Sequence, residues 1–208
     1  MSHQLQFYKP QDSPNQRYLA IQNRICNLLI RKKYPGVSFR IFHTPAQQDL
    51  HDYDFCISCT PPNEQYREGL PLVTEKLHLL VSAEYRFTAR TAVRFDELKN
   101  EEFALLDKDS SLWRHTVHLC QQSGFEPRIS MICGDLHCLT KFVSTGMAVT
   151  LGPEVSWRGI SMDNLAFVPT VPEVIRTTYV FENSRKNSSM LRQTFLEFLT
   201  EFFSKLQA

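Results

Sequence analysis

Phe142-Val143-Ser144-Thr145-Gly146-Met147-Ala148-Val149-Thr150-Leu151-Gly152-Pro153 is the stretch from which the fold is read. Apolar residues at helical spacing (Leu136, Leu139, Val143) lead up to Gly146, the residue type that takes the left-handed conformation a helix terminus often needs. Met147 to Leu151 is short and apolar and stops at Gly152-Pro153, which predicts a buried strand inside an α/β sheet. Upstream, Gln121-Gln122-Ser123-Gly124-Phe125-Glu126-Pro127 repeats the device, with a helix, a glycine stop and a proline just beyond it.

Working outward, the same grammar recurs. Glu102 to Leu106 reads as a strand, Asp109-Ser110-Ser111 offers N-capping side chains, and Leu112 to Ser123 shows Trp113, Val117 and Cys120 on one helical face. Arg128 to Cys133 is the next strand and Asp135 can cap the following helix. Two strand-loop-helix units in series predict a parallel-rich sheet with helices against it. Towards the N-terminus, His3 to Tyr8 alternates as a strand, a turn-rich loop covers Gln11 to Asn15, and Arg17 to Lys33 patterns as a helix. Val37 to Phe42 follows as a second strand. The Arg17 to Lys33 pattern has two apolar stripes, so either the helix is wedged between layers or Leu19, Cys26 and Ile30 pack on a second copy; the latter makes these three the expected dimer interface. Leu70 to Val81, Leu165 to Pro169 and Arg176 to Glu182 are extended. Ser189 to Lys205 is a last helix with Leu191, Phe195, Phe198, Leu199 and Phe202 on its core face.

The chain has 208 residues, 42% of them hydrophobic, enough for a sizeable core. Its 23 Lys+Arg balance 22 Asp+Glu to a net charge of +1, which argues against a polyanion-binding segment. No apolar run approaches the roughly 20 residues that span a bilayer, and no signal-peptide pattern opens the sequence, so a cytoplasmic protein with no membrane association is expected. Six cysteines scattered through apolar patterns read as reduced core residues.

Taken together, "SGFEP" at 123–127 and "LTKFVSTGMAVTLGP" at 139–153 resemble the effector-binding region of LysR-type bacterial transcription regulators, in which a helix ending "aGf-x-P" precedes an "l-x-x-V-x-x-G-x-G-[IV]-x-x-[LV]-P" segment. Tyr34-Pro35-Gly36-Val37 is similar to the end of the family's first helix. Gln48 to Ile57 is similar to its "l-x-x-g-x-l-D-l-a-i" run, here without the glycine, and Leu70 to Val81 to the strand that carries the chain between lobes. The family's usual "HPLa" is replaced by Glu84-Tyr85-Arg86-Phe87.

The resemblance implies a two-lobe α/β domain of the type 2 periplasmic-binding-protein kind, with mixed, mostly parallel sheets flanked by helices. Lobe I would comprise residues 1–81 and 167–208, and lobe II residues 82–166. It also implies a small-molecule effector held between the lobes, a homodimer or higher homo-oligomer, and DNA contacted only through an N-terminal winged helix-turn-helix that this sequence does not include. No cofactor, no metal and no enzymatic activity are expected. A free-standing solute-binding protein of the same fold is the alternative, and a small thiol- or metal-dependent enzyme a third.

Helix N-termini at the ends of parallel strands gather backbone N–H groups suited to an anionic or polar ligand. Three places qualify: Gln11 to Asn15, Asp109-Ser110-Ser111, and Gly134-Asp135-Leu136. Each reads equally well as an ordinary N-cap. By resemblance, Thr44, Thr60, Ser110, Ser111, Asp135 and Leu136 fall at pocket positions, with Ser13 in the less clearly aligned first loop and Asp109 beside the second cap. Asp109 and Asp135 could cap helices, recognise an amine or repel a carboxylate; capping ranks first. Cys56-Ile57-Ser58-Cys59 has redox and zinc spacing but sits at a strand end rather than at a helix N-terminus. Cys133 and Cys138, five apart, do not complete a zinc set with it.

Overall fold

The structure, a computed structural model, describes residues 3–8, 37–42, 53–61, 63–66, 68–108, 110–157 and 160–207, the first two of these segments by their backbone. The described chain forms two compact units, with boundaries at Thr74/Glu75 and Arg176/Thr177. The first helix expected at 17–33, with its dimer stripe Leu19, Cys26 and Ile30, lies outside the described residues, as do Ser13, Thr44 and Asp109.

The first unit is built on β1 (His3–Tyr8), β2 (Val37–Phe42), β3 (Phe55–Ser58), the start of β4 (Gly69–Ser82), most of β11 (Val174–Glu182) and a final helix, α3 (Met190–Gln207). β1 pairs in parallel with β2, from His3↔Val37 to Tyr8↔Phe42, and with β3 at Phe7↔Phe55. β11 runs antiparallel to β3, placing Val180 opposite Ile57. The core is the one its helix pattern foretold: Phe195 and Leu199 of α3 are buried with Phe55, Leu72 and Val180, and the Phe55 and Phe195 rings lie 5.2 Å apart. Full burial of each such side chain contributes about 1.5–3 kcal/mol.

Arg192, on the same helix, is only 4% exposed. It donates to the carbonyls of Asp54 (3.3 Å), Asn183 (3.3 Å) and Asn187 (3.4 Å) and to the Glu182 carboxylate (3.2 Å). Its guanidinium also lies 5.1 Å from the Phe55 ring centre. A buried cation needs this many acceptors to offset its lost hydration.

The second unit, Glu75–Arg176, holds the rest of β4. β4 is flanked by two antiparallel partners, β8 (Thr150–Pro153) and β9 (Leu165–Val168). β6 (Glu102–Leu106) and β7 (Arg128–Cys133) are parallel, joined by α1 (Ser111–Gln122) as the crossover helix, and α2 (Leu136–Ser144) follows β7. Short strands β5 (Val93–Arg94) and β10 (Thr170–Val171) pair in parallel, and a 3-10 turn at Phe95–Leu98 follows β5. Strands of both senses thus occur among the described residues.

Both glycine stops hold the expected left-handed backbone: Gly146 has φ 78° and Gly124 φ 83°. The strand after Gly146 differs from its sequence reading. Met147 is 59% exposed, Val149 makes an isolated parallel bridge to Phe103, and β8 begins only at Thr150 and includes Gly152-Pro153. Pairing with β4 decides this, because His78 stands opposite Gly152 and Leu77 opposite Pro153. Gly152 fits here for want of a side chain: a Cβ would meet the Trp157 ring at 2.7 Å and the Phe167 ring at 3.0 Å.

Helix α1 is also rotated from its expected face. It buries Leu112, Thr116 and Cys120, while Trp113 and Val117 are half-buried. Thr116 can face inward because its hydroxyl donates to the Leu112 carbonyl at 2.8 Å. The unusual Glu84-Tyr85-Arg86-Phe87 segment has its own anchor. Tyr85 and Arg86 both donate to Glu101, which is 7% exposed, and Phe87 is buried with the Arg86 guanidinium 4.0 Å from its ring centre.

Candidate functional site

The capping residues named from sequence divide cleanly in role. Ser110 is the N-cap of α1, fully buried, and its Oγ accepts from the Trp113 N–H at 3.0 Å. Asp135 is the N-cap of α2, its Oδ1 accepting from the Cys138 N–H at 2.7 Å. Leu136 is 0% exposed, so its side chain packs in the core and leaves only its backbone for a ligand. Thr60 is exposed at the end of β3 in the other unit, and its carbonyl accepts from the Ser58 hydroxyl.

Ser111 leads to the residues that sequence reasoning missed. It is 1% exposed, and its Oγ lies 3.5 Å from Nη1 of Arg176, which donates to it. Nη2 of the same guanidinium donates to Oε1 of Glu75 at 2.8 Å, and the two side chains are 6% and 0% exposed. Glu75 is held further by the Val155 N–H at 3.0 Å and the Ser156 N–H at 2.7 Å, both onto Oε2, and by the Ser156 hydroxyl onto Oε1. A buried carboxylate persists when its lone pairs are filled in this way.

A sequence signal for this pair existed. In β4, Val73, Glu75, Leu77 and Leu79 share one buried register; in β11, Val174, Arg176, Thr178 and Val180 share another. One charge of each sign on the inward face of two strands points to a buried ion pair. Electrically the pair is neutral beside Ser111. Beside Ser111 the N-terminus of α1 adds a dipole and first N–H groups that suit a carboxylate, phosphate or hydroxyl oxygen.

The remaining chemical candidates read as packing. Cys56 is buried with its thiol donating to Ser58 Oγ at 3.6 Å, whereas the Cys59 sulfur lies 3.8 Å from Thr178 Oγ1. The two sulfurs of the Cys-x-x-Cys motif therefore bond to different hydroxyls. Among the described residues no three His, Cys, Asp or Glu side chains are grouped to hold a metal ion, and no helix is long and apolar enough to cross a membrane.

Against known proteins, a sequence model described as LysR substrate binding domain matches residues 28–204. The chain belongs to this family. This LysR domain is 30% identical over 185 residues to the transcriptional dual regulator GltC of Bacillus subtilis (strain 168), covering 85% of this chain and 61% of that protein. The chain thus spans about three fifths of that relative's length. In structure it is similar to the regulatory domain of Synechocystis PCC6803 CcmR in complex with 2-PG, with a TM-score of 0.82, 18% identity and 97% of each chain covered. It is also similar to the BenM effector binding domain with its effector benzoate, with a TM-score of 0.77, 17% identity, and 99% of this chain and 94% of that one covered. The fold of the LysR domain is accordingly that of LysR effector-binding domains, the type 2 periplasmic-binding-protein-like fold.

Proposed function

We propose that this chain is the effector-binding regulatory part of a LysR-type transcription regulator, and that it senses a small polar molecule. The family match over residues 28–204 carries the reading. It is supported by the fold shared with a CcmR domain in complex with 2-PG and a BenM domain with benzoate. The effector's oxygen atoms would meet the helix starts at Ser110-Ser111 and Asp135-Leu136, with Thr60, Asp109, Ser13 and Thr44 as further contacts. Glu75 and Arg176 would hold the first of these starts in place.

The chain acts as a regulator rather than as an enzyme, in the cytoplasm, with no cofactor. It self-associates through Leu19, Cys26 and Ile30; Ile129 and Ile132, 37% and 51% exposed on the open edge of β7, are further surface that a second copy would cover. DNA is bound by another part of the regulator, and effector binding shifts it by favouring one arrangement of the protein over another.

A thermal-shift screen of carboxylic acids and phosphate esters tests this. A ligand at 100 times its Kd adds about 2.7 kcal/mol, which for a chain of this size is roughly 5–11 °C in Tm. If no compound of either class shifts Tm and the isolated chain instead retards an operator DNA in a sequence-specific manner, the reading is wrong.

A further inference from the structure

Glu75 opens the continuous span of the second unit and Arg176 closes it, so their buried pair stands where the chain enters that unit and where it leaves. On the other side of these two boundaries are Thr74 and Thr177, whose hydroxyls lie 3.0 Å apart within the first unit. From the pair, hydrogen bonds run in two directions. Arg176 reaches Ser111 in the first turn of α1, where the Trp113 N–H donates to Ser110. Glu75 reaches the turn after β8, through the Val155 and Ser156 N–H groups and the Ser156 hydroxyl. Ser111, Arg176, Glu75 and Ser156 are all buried. Bonds in such surroundings polarise one another, and displacing one member leaves the polar groups of the next unsatisfied. The neighbouring ion pair of Lys76 with Glu173, 51% exposed at each side chain, is screened by water and carries little by comparison.

We propose that Glu75 and Arg176 are positioning residues that tie the start of α1 to both points at which the chain crosses between its two units, so that a ligand seated at Ser110-Ser111 is felt at those crossings. They act through Ser111 rather than on the ligand. A shift of the α1 start moves Ser111, then the Arg176 guanidinium, then the Glu75 carboxylate with the Val155 and Ser156 groups bonded to it. Coupling free energy is reciprocal, so a change in the turn after β8 reaches α1 by the same route. That a ligand drives the route rests on the proposed function; the coupling between α1 and the turn does not.

The test is amide hydrogen exchange in the folded 208-residue chain, resolved residue by residue with NMR. Ser156→Ala takes one donor from Glu75 and should speed exchange of the Trp113 and Arg114 amides roughly two- to tenfold, the worth of one hydrogen bond. Ser111→Ala should speed the Val155 and Ser156 amides by a similar factor. The Cys138 amide, held by Asp135 at the start of α2, should keep its rate in both variants. On an Arg176→Met background, Ser156→Ala should no longer reach α1; should that core variant fail to fold, the two serine variants still decide. Unchanged Trp113 and Arg114 rates in Ser156→Ala overturn the proposal, as do unchanged Val155 and Ser156 rates in Ser111→Ala. So does a uniform rise that includes Cys138, which marks general loosening, or an effect that persists without Arg176. A wild-type chain that binds no carboxylate or phosphate ester, yet shows the expected exchange pattern, refutes the proposed function and leaves the coupling standing.

Discussion

Replacing Glu75 by leucine is the sharpest perturbation of the second unit. The carboxylate is 0% exposed and receives the Arg176 guanidinium at 2.8 Å, two backbone N–H groups at 2.7 and 3.0 Å and one hydroxyl. Leucine fills similar space but takes away the carboxylate that receives the Arg176 guanidinium, a side chain only 6% exposed. Removing one partner of a buried pair costs about 3–5 kcal/mol, equivalent to a Tm loss of roughly 6–20 °C for 150–250 residues. Replacing both charges separates the causes. Glu75→Leu with Arg176→Met removes the buried cation together with its carboxylate, so the double variant should be more stable than Glu75→Leu alone. It will not regain the native Tm, because the Val155 and Ser156 N–H groups still lack their acceptor, at about 1–3 kcal/mol each. Differential scanning calorimetry of the wild type, both single variants and the double variant near neutral pH gives the coupling directly. Simple additivity of the two single losses, or a Glu75→Leu loss under about 1 kcal/mol, would show that the pair does not hold this unit together.

Three further perturbations probe packing, capping and ionisation. Gly152→Ala forces a Cβ to within 2.7 Å of the Trp157 ring and 3.0 Å of the Phe167 ring. It should cost about 1–3 kcal/mol as overpacking, read as a fall in the urea midpoint with unchanged m; an unchanged midpoint would mean the rings move aside freely. Asp135→Ala removes the α2 cap and should cost about 0.5–2 kcal/mol, whereas Asp135→Asn should cost much less because the amide oxygen can still accept the Cys138 N–H. Tyr85 is pushed up to about 12, by burial first and then by its hydrogen bond to Glu101, and burial raises Tyr66 as well. A phenol held neutral in the fold stabilises it below the ordinary tyrosine value of about 10, and this is lost as pH rises from there through the folded value. Tm should therefore fall between pH 10 and 12, and absorbance at 295 nm should show part of the seven tyrosines ionising late. Seven phenols all titrating near 10 in the folded chain would refute it.

Elements were legible wherever local chemistry decides them. Glycine at a helix end, the alternation in 3–8, the short strand at 128–133, the caps at Ser110 and Asp135, and the aromatic face of α3 depend on residues close in sequence. The structure places a strand, a cap or a core contact at each. The order of these weak signals was enough to suggest a LysR domain.

What only the tertiary structure decided follows from pairing between distant segments. β8 begins at Thr150 rather than Met147 because β4, some seventy residues upstream, sets its register, and α1 buries Leu112, Thr116 and Cys120 rather than Trp113 and Val117. Glu75 and Arg176 lie 101 positions apart, and only folding turns two isolated charges into one buried pair beside Ser111. Helical and strand periods are short-range properties that a sequence displays directly. Registers and ion pairs belong to two segments at once, and neither segment alone specifies its partner.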